Sequence, residues 1–198
     1  MGKRIMTNDH KPSLVGISGS LRRESYNTAI LETLARRVAD RGSLQVWRLN
    51  DIPAYDQDLD TDVPPGPVIE LRAAVAAADG VVIATPEYNY GLPGVLKNAL
   101  DWLSRPHGKS VFIAKPVLTL SSSPAFTGGV RAQAQLNEVL ISMAALLVLR
   151  PQAVIPAAHT KIVDNVLVDE QSLRFLDDAV SDLLGNIRSR EKVVRQEA

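Results

Sequence analysis

The sequence contains no cysteine and only three histidines. The absence of cysteine excludes disulfide bonds, thiolate nucleophiles, iron–sulfur clusters and cysteine-based zinc sites. The histidines, His10, His107 and His159, are far apart in the chain and form no HxxxH-type pair, so we expect no metal site. Any redox chemistry therefore requires a bound cofactor.

The sequence also lacks an excess charge of either sign, because Lys and Arg number 22 and Asp and Glu number 22. Nucleic-acid binders and proteins of anionic membranes normally carry a basic surplus, so we expect neither kind of partner. No apolar run approaches the roughly 18 residues of a membrane span, and the polar N-terminus has no signal-peptide core. We therefore expect a cytoplasmic protein whose partners are small molecules or proteins.

Short apolar runs alternate with longer helical periodicities from Ser13 onwards. This alternation is typical of repeated βα units around a parallel sheet, and 198 residues suit a single domain, with flexible tails over 1–12 and 191–198. The predicted strands are Ser13–Ser18, Leu44–Leu49, Gly80–Thr85, Lys115–Ser121 and Leu146–Ile155. The predicted helices are Ser25–Arg41, Pro67–Ala78, Gly94–Ser104, Gly128–Ala145 and Glu170–Arg190.

Five parallel strands with helices on both faces make a doubly wound α/β domain, and the common five-stranded version has the flavodoxin-like order 2-1-3-4-5. Ligands of such sheets lie at the carboxyl ends of the strands, next to strands one and three. Two irregular stretches interrupt the alternation. We expect Asp51–Pro67, which is rich in proline and aspartate, to be a solvated surface loop. We expect Ala157–Asp169, which shows no clean period, to connect the last strand to the last helix.

The loop after the first strand combines hydrogen-bond donors with the start of a helix. Gly19 permits a tight turn, Ser20, Ser25 and Asn27 bring hydroxyl and amide groups, and Arg22 brings a positive charge. The N–H groups and the dipole of a helix N-terminus favour an anion at the same place. We interpret the loop as a phosphate cradle; the alternative, plain helix capping by Ser25, needs no ligand.

Two well-known phosphate motifs are missing from this loop. There is no GxxxxGK[ST] stretch, so the lysine and magnesium of a triphosphate site are not available. There is no GxGxxG either, so dinucleotide binding by that route is not indicated. A hydroxyl-rich cradle without a metal suits a terminal monophosphate.

The third strand leads into a rigid loop, residues 86–94, which contains two tyrosines, two prolines and two glycines. Tyr88 and Tyr90 in this loop and Tyr26 in the first loop are three of the four tyrosines of the chain. A planar ring needs flat walls, so the tyrosines are candidates to line one. Packing or an interface is the competing role for each of them.

The stretches Gly19–Asn27 and Pro86–Trp102 resemble the two signature motifs of the NAD(P)H-dependent FMN reductase family, which includes bacterial quinone and chromate reductases. The likeness covers roughly residues 13–155 and weakens at 124–127. It implies a flavodoxin-like fold that holds FMN non-covalently, commonly as a homodimer or a dimer of dimers. Matched by position, the residues implied to contact FMN are Ser20, Leu21, Arg22, Ser25, Tyr26 and Asn27 at the phosphate, Pro86, Glu87, Tyr88, Asn89 and Tyr90 at the ring, and one or more of Ser121, Ser122 and Ser123.

The resemblance implies an enzyme whose bound FMN takes a hydride from NADPH or NADH and passes two electrons to quinones, chromate, azo or nitro compounds. One shared open face implies ping-pong kinetics, and no side chain is named as a catalytic acid or base. The alternatives are a flavin reductase that releases reduced FMN to a separate oxygenase and a flavodoxin-like electron carrier. A nucleoside-processing hydrolase that uses Glu87 is a third alternative, which rests on fold analogy alone.

The predicted helix 94–104 is apolar on more than one side. One stripe runs from Leu96 at core-facing spacing, and a neighbouring stripe contains Val95 and Trp102. We therefore expect a homodimer through this helix and the helix 128–145.

Glu87 has two possible roles. It is either a buried general acid or base, or a carboxylate that pairs with an arginine across a subunit contact. Arg105 and Arg131 are the candidate partners.

Overall fold

The computed structural model describes residues 11–197, with side chains up to residue 190, and its main element is one parallel sheet. The order is β2-β1-β3-β4-β5, with β1 (Ser13–Ser18) between β2 (Ser43–Trp47) and β3 (Gly80–Thr85), and β4 (Pro116–Ser122) beyond β3. All these strands are parallel, and the side on which successive strands are added changes between β1 and β3. The predicted flavodoxin-like α/β fold is confirmed.

The fifth position of the sheet is occupied by two short segments instead of the continuous strand predicted over 146–155. β5 (Leu146–Leu147) pairs with the start of β4, and β6 (Ala153–Ile155) pairs with its end. Pro151 lies between them and has no N–H to donate to a ladder. In the β4 stretch that these segments leave unpaired, the Gln133 side-chain amide donates to the carbonyl of Thr119 (3.0 Å).

The helices cover both faces of the sheet. α1 (Tyr26–Arg37) and α5 (Glu170–Glu197) pack on one face, and α2 (Gly66–Ala77), α3 (Gly94–Leu103) and α4 (Val130–Ser142) pack on the other. Both faces of β1, β3 and β4 are therefore buried, which explains why these strands are continuous apolar runs in the sequence.

The helix ends differ from the prediction by a few residues. α1 ends at Arg37, and Val38 is its C-cap residue. α5 continues to Glu197. The flexible tail predicted over 1–12 lies, except for residues 11 and 12, outside the described residues. Along the described chain, no helix is both long enough and apolar enough to cross a membrane.

The connection 157–169 joins the last strand of the sheet to α5, as predicted, and it contains a hairpin that the sequence analysis did not predict. β7 (Ile162–Val163) and β8 (Val166–Leu167) pair antiparallel around Asp164 and Asn165, whose φ angles are 47° and 59°. Asp and Asn tolerate this left-handed conformation better than most residues, and the pair is a hairpin-turn signal.

The loop 51–67 is more than a solvated excursion, because part of it packs on α3. Trp102 is 1% exposed, its Nε1 donates to the carbonyl of Pro53 (2.9 Å), and its ring meets Tyr55 edge-to-face with centroids 4.9 Å apart. The expectation that Trp102 forms part of a subunit interface was therefore wrong. Its apolar surface is covered from within the same chain.

Candidate functional site

The loops after β1 and β3 meet at the carboxyl end of the sheet. The N–H of Gly19 donates to the carbonyl of Ala84 (2.8 Å). A Cβ on Gly19 would lie 2.8 Å from Leu96 Cδ2 and 3.2 Å from the Ala84 carbonyl oxygen, so a side chain there would force the first loop away from β3 and α3. This contact places the predicted phosphate loop directly beside the tyrosine loop.

The serines of the first loop organise its backbone. Ser25 is the N-cap of α1, and its hydroxyl oxygen accepts from the N–H of Thr28 (3.3 Å). Ser20 accepts from the N–H of Arg22 (3.3 Å) in the same way. Each accepting hydroxyl keeps its own O–H to donate. Capping and anion binding by Ser25 are therefore compatible.

The start of α1 adds positive character to this loop. The N–H groups of a helix's first turn have no acceptor within the helix, and in α1 this turn begins at Tyr26. The guanidinium of Arg22 lies 4.7 Å from the centre of the Tyr26 ring, a cation–π contact that keeps the charge over the same turn.

Two polar atoms near this loop have no hydrogen-bond partner among the described residues. They are Asn27 Oδ1 and Ser122 Oγ, both buried, and the two residues are joined by a bond from Asn27 Nδ2 to the Ser122 carbonyl (3.4 Å). Buried polar atoms normally have a partner, so these atoms mark a place for a polar ligand group or ordered water. The cradle therefore fits a phosphate-bearing cofactor.

The three serines at the end of β4, where Ser121 and Ser122 are the last two strand residues and Ser123 follows them, have different surroundings. Ser121 is fully buried and donates to Gln133 Oε1 (3.3 Å), and Ser123 Oγ accepts from the N–H of Ala125 (3.1 Å). Only Ser122 of the three has a hydroxyl without a partner in the part of the chain that is described. Of the three, Ser122 has the hydroxyl with the most capacity left for a ligand.

The loop after β3 makes a tight turn that turns its tyrosines outward. Tyr88 and Gly91 exchange backbone hydrogen bonds of 3.1 and 2.9 Å, and Asn89 and Tyr90 have φ angles of 50° and 66°. Tyr88, Asn89 and Tyr90 are exposed, whereas Pro86 is buried at the end of the strand. The tyrosines are thus not core residues, and their rings are available to a planar ligand or to another subunit.

Glu87 is paired with Arg131 of the same chain, not with an arginine across a subunit contact. Its carboxylate accepts from the backbone N–H groups of Arg131 (3.0 Å) and Ala132 (3.3 Å) and from the Arg131 side chain (Nε, 2.8 Å). The N-cap of α4, Gly129, has no side chain, so Glu87 caps that helix from a neighbouring loop. The same guanidinium lies 3.9 Å from the centre of the Tyr90 ring.

The surroundings of Glu87 determine its ionisation. Burial alone would raise its pKa, but the hydrogen bonds from the Arg131 side chain and from the N–H groups of Ala132 and Arg131 outweigh burial. The pKa of Glu87 is therefore held below its ordinary value, and its oxygens are occupied by donors from α4. This arrangement is that of a structural carboxylate.

Sequence reasoning missed two glutamines of α4, one that connects the helix to β4 and one that connects it to the loop after β3. Gln133 bonds to Thr119 and Ser121, and Gln135 Oε1 accepts from the N–H of Leu92 (2.9 Å). Gln133 is spaced three residues before the buried Leu136, so it is a polar residue on a core-facing stripe. A polar residue at a core-facing position was the signal in the sequence that Gln133 has a buried hydrogen-bond partner.

Comparisons with known proteins agree with this geometry. The family model for NADPH-dependent FMN reductase matches residues 12–160. A NAD(P)H-dependent FMN reductase of Pseudomonas aeruginosa is 37% identical over 179 residues, which are 90% of this chain and 91% of the relative. A quinone reductase of Escherichia coli is 37% identical over 178 residues, 88% of this chain and 90% of the relative.

Solved structures give the same result. The flavoenzyme NAD(P)H:(acceptor) oxidoreductase FerB from Paracoccus denitrificans superimposes with a TM-score of 0.82 at 30% identity. The match covers 90% of this chain and 98% of that chain. The resemblance found in the two sequence motifs is therefore confirmed over nearly the whole length.

Proposed function

The chain belongs to the NADPH-dependent FMN reductase family, and we propose that it carries two electrons from NAD(P)H through bound FMN to quinones and similar acceptors. It is an oxidoreductase of that family with FMN as its cofactor and NAD(P)H as its electron donor. We further propose that residues 1–198 form a single domain. The observation that carries the proposal is the contact of Gly19 with Ala84, which joins a phosphate cradle to an exposed tyrosine loop.

In this proposal the first loop binds the FMN phosphate. The hydroxyls of Ser20 and Ser25 donate to it, the first-turn N–H groups of α1 at Tyr26 and Asn27 point towards it, and Arg22 neutralises its charge. Leu21, which is exposed, contributes to the rim. Ser122 uses its free hydroxyl as a donor on the other side of Asn27.

The second loop orients the ring in this proposal. When bound, FMN supplies hydride acceptance from NAD(P)H and two-electron donation to the acceptor. Tyr88, Asn89 and Tyr90 line the ring, with Pro86 fixing where the loop leaves β3. Because one open face serves both substrates, NAD(P)⁺ leaves before the acceptor enters, and the kinetics are ping-pong.

We assign no acid or base role to Glu87. A group that exchanges protons in turnover must be free to lose and regain one, whereas this carboxylate is bonded to Arg131 and to the start of α4. Its proposed role is to fix the loop after β3 against α4. A hydrolase that uses Glu87 would need this carboxylate to be free, so the arrangement does not favour that alternative.

We propose a homodimer that uses α4. Ile141 on α4 is 63% exposed, and Leu149, in the gap between β5 and β6, is 95% exposed. Leu146, at the same edge of the sheet, is also exposed. Exposed apolar residues that lie together are typical of a protein interface.

The test is an absorption spectrum of purified protein after free FMN is removed, followed by anaerobic addition of NADPH and then NADH. We expect flavin bands that persist, that bleach with at least one nucleotide, and that return on addition of a quinone. Steady-state rates at several quinone concentrations should give parallel double-reciprocal lines. Loss of the flavin during turnover would favour the flavin reductase, and failure to bleach would favour the electron carrier.

A further inference from the structure

Four exposed apolar side chains lie on the three loops at the carboxyl end of the sheet. They are Leu21 after β1, Tyr88 and Tyr90 after β3, and Phe126 after β4. Phe126 is the most exposed of them, at 90%, and the proposed FMN contacts do not include it. A single exposed apolar side chain is common on protein surfaces and needs no explanation. An exposed apolar side chain that extends an apolar rim around a ligand site indicates a role in binding.

The loop that carries Phe126 is fixed on both sides. The carbonyl of Ala125 accepts from the N–H of Gly128 (3.1 Å) and from the N–H of Ala157 (3.4 Å). The carbonyl of Ser123 accepts from the N–H of Ala158 (3.0 Å). The exposed ring therefore projects from an ordered turn.

The exit of this loop lies against the tyrosine loop. A Cβ built on Gly129 would be 3.6 Å from Glu87 Cβ and 3.1 Å from Ser121 Cβ. Phe126 precedes Gly129 by three residues, and three residues span at most about 11 Å. Phe126 is therefore anchored close to the loop that carries Tyr88 and Tyr90, with its side chain exposed at the same end of the sheet.

We propose that Phe126 is a specificity residue that stacks on aromatic electron acceptors bound at this site. The proposal rests on the proposed function and adds a contact for its second substrate. A planar quinone offers two π faces, one for the cofactor and one that would otherwise remain in water. Phe126 supplies an apolar, polarisable partner for that face, which small inorganic acceptors do not need.

The first experiment measures binding without turnover. FMN-loaded protein is titrated with 2-naphthol, a planar aromatic that is not an electron acceptor, and the flavin absorption spectrum reports its dissociation constant. Phe126→Ala should raise this constant by about two- to tenfold, the range that stacked aromatic pairs contribute. Phe126→Tyr should restore it, and Val163→Ala, an exposed apolar residue on the hairpin, should leave it unchanged.

The second experiment separates KM from kcat. Phe126→Ala should raise KM for a naphthoquinone by a similar factor, with little change in kcat. The rate of flavin bleaching by NADPH and the rate with ferricyanide should stay at the wild-type values.

Three outcomes would overturn the assignment of Phe126. They are an unchanged 2-naphthol constant, an equal loss of activity with ferricyanide and with the naphthoquinone, and conversion of the variant to monomers in sedimentation, which would make Phe126 an interface residue. The proposed function fails in a different way. In that case the wild-type protein itself would retain no FMN or would not bleach with either nucleotide.

Discussion

Glu87 and Arg131 form an ion pair that connects the loop after β3 to the first turn of α4. The pair combines a side-chain bond from Arg131 Nε to Glu87 Oε1 (2.8 Å) with a backbone bond from the Arg131 N–H to Glu87 Oε2 (3.0 Å). The Glu87 side chain is 8% exposed, whereas the Arg131 side chain that faces it is 43% exposed. One carboxylate thus caps a helix and fixes the turn that carries Tyr88 and Tyr90.

Replacing Glu87 with glutamine should destabilise the protein at neutral pH by about 1–2 kcal/mol, since a helix cap and charge-assisted bonds are lost together. The pKa of Glu87 is lowered in the folded state, so its contribution is complete above the unfolded-state pKa and disappears as the pH falls through the folded-state pKa. The difference between wild type and Glu87→Gln should therefore shrink below about pH 4. Urea unfolding of both proteins from pH 7 to pH 3 measures it.

Glu138→Gln is the matched control, because Glu138 is an exposed glutamate on α4, the helix that Glu87 caps. It should change stability by less than about 0.5 kcal/mol at every pH. A gap between wild type and Glu87→Gln that stayed constant down to pH 3 would show that ionised Glu87 does not stabilise the fold.

Replacing Gly129 with alanine should destabilise the start of α4. Gly129 has a φ angle of 94°, which costs other residues about 1–2 kcal/mol, and a Cβ there would lie 3.1 Å from Ser121 Cβ. We expect a lower urea midpoint and weaker FMN binding, because Glu87, which fixes the loop after β3, adjoins this residue. Gly94→Ala is the control, since its Cβ would meet nothing within 4 Å. Equal stability of the two variants would contradict the strain at Gly129.

The architecture was predictable because the signals that specify it are local. β1, β3 and β4 are buried on both faces, and each appears in the sequence as a short apolar run with ends within a residue of those observed. The break at Pro151 and the hairpin at Asp164 were missed although both carry local signals. The apolar stretches on both sides of Pro151 favoured one continuous strand in spite of the proline. The two strands of the hairpin have only two residues each, which is too short for a recognisable alternation.

The location of the site followed from topology, but its side-chain partners did not. The rule for parallel sheets selected the loops after β1 and β3 correctly. Glu87 and Arg131 are 44 positions apart, and Trp102 and Pro53 are 49 apart. Periodicity describes which face of a helix is apolar and does not show whether a distant loop covers it, so Trp102 was assigned to an interface.

Replacing Arg22 with alanine should weaken FMN binding. If its guanidinium neutralises the phosphate, the loss should be about 1.5–3 kcal/mol, or at least about tenfold in the dissociation constant. Quenching of FMN fluorescence on binding to the apoprotein measures this constant. Arg23→Ala, at the next exposed arginine, should have a clearly smaller effect. Equal effects of the two substitutions would mean that only the general positive field of the loop matters.

Replacing Ile141 with glutamate should convert the proposed homodimer to monomers. An interface that buries this side chain would then have to bury an unpaired carboxylate. The cost is several kcal/mol of association free energy, which is enough to dissociate most dimers. Sedimentation velocity at micromolar concentration should then give a monomer, while Ile69→Glu, at an exposed isoleucine on α2, should leave the dimer intact. Far-UV circular dichroism of both variants controls for unfolding. If Ile141→Glu remained dimeric, the interface would lie away from α4, and the exposure of Ile141 and Leu149 would need another cause. If Ile69→Glu also dissociated, the effect would reflect added charge and not the α4 surface.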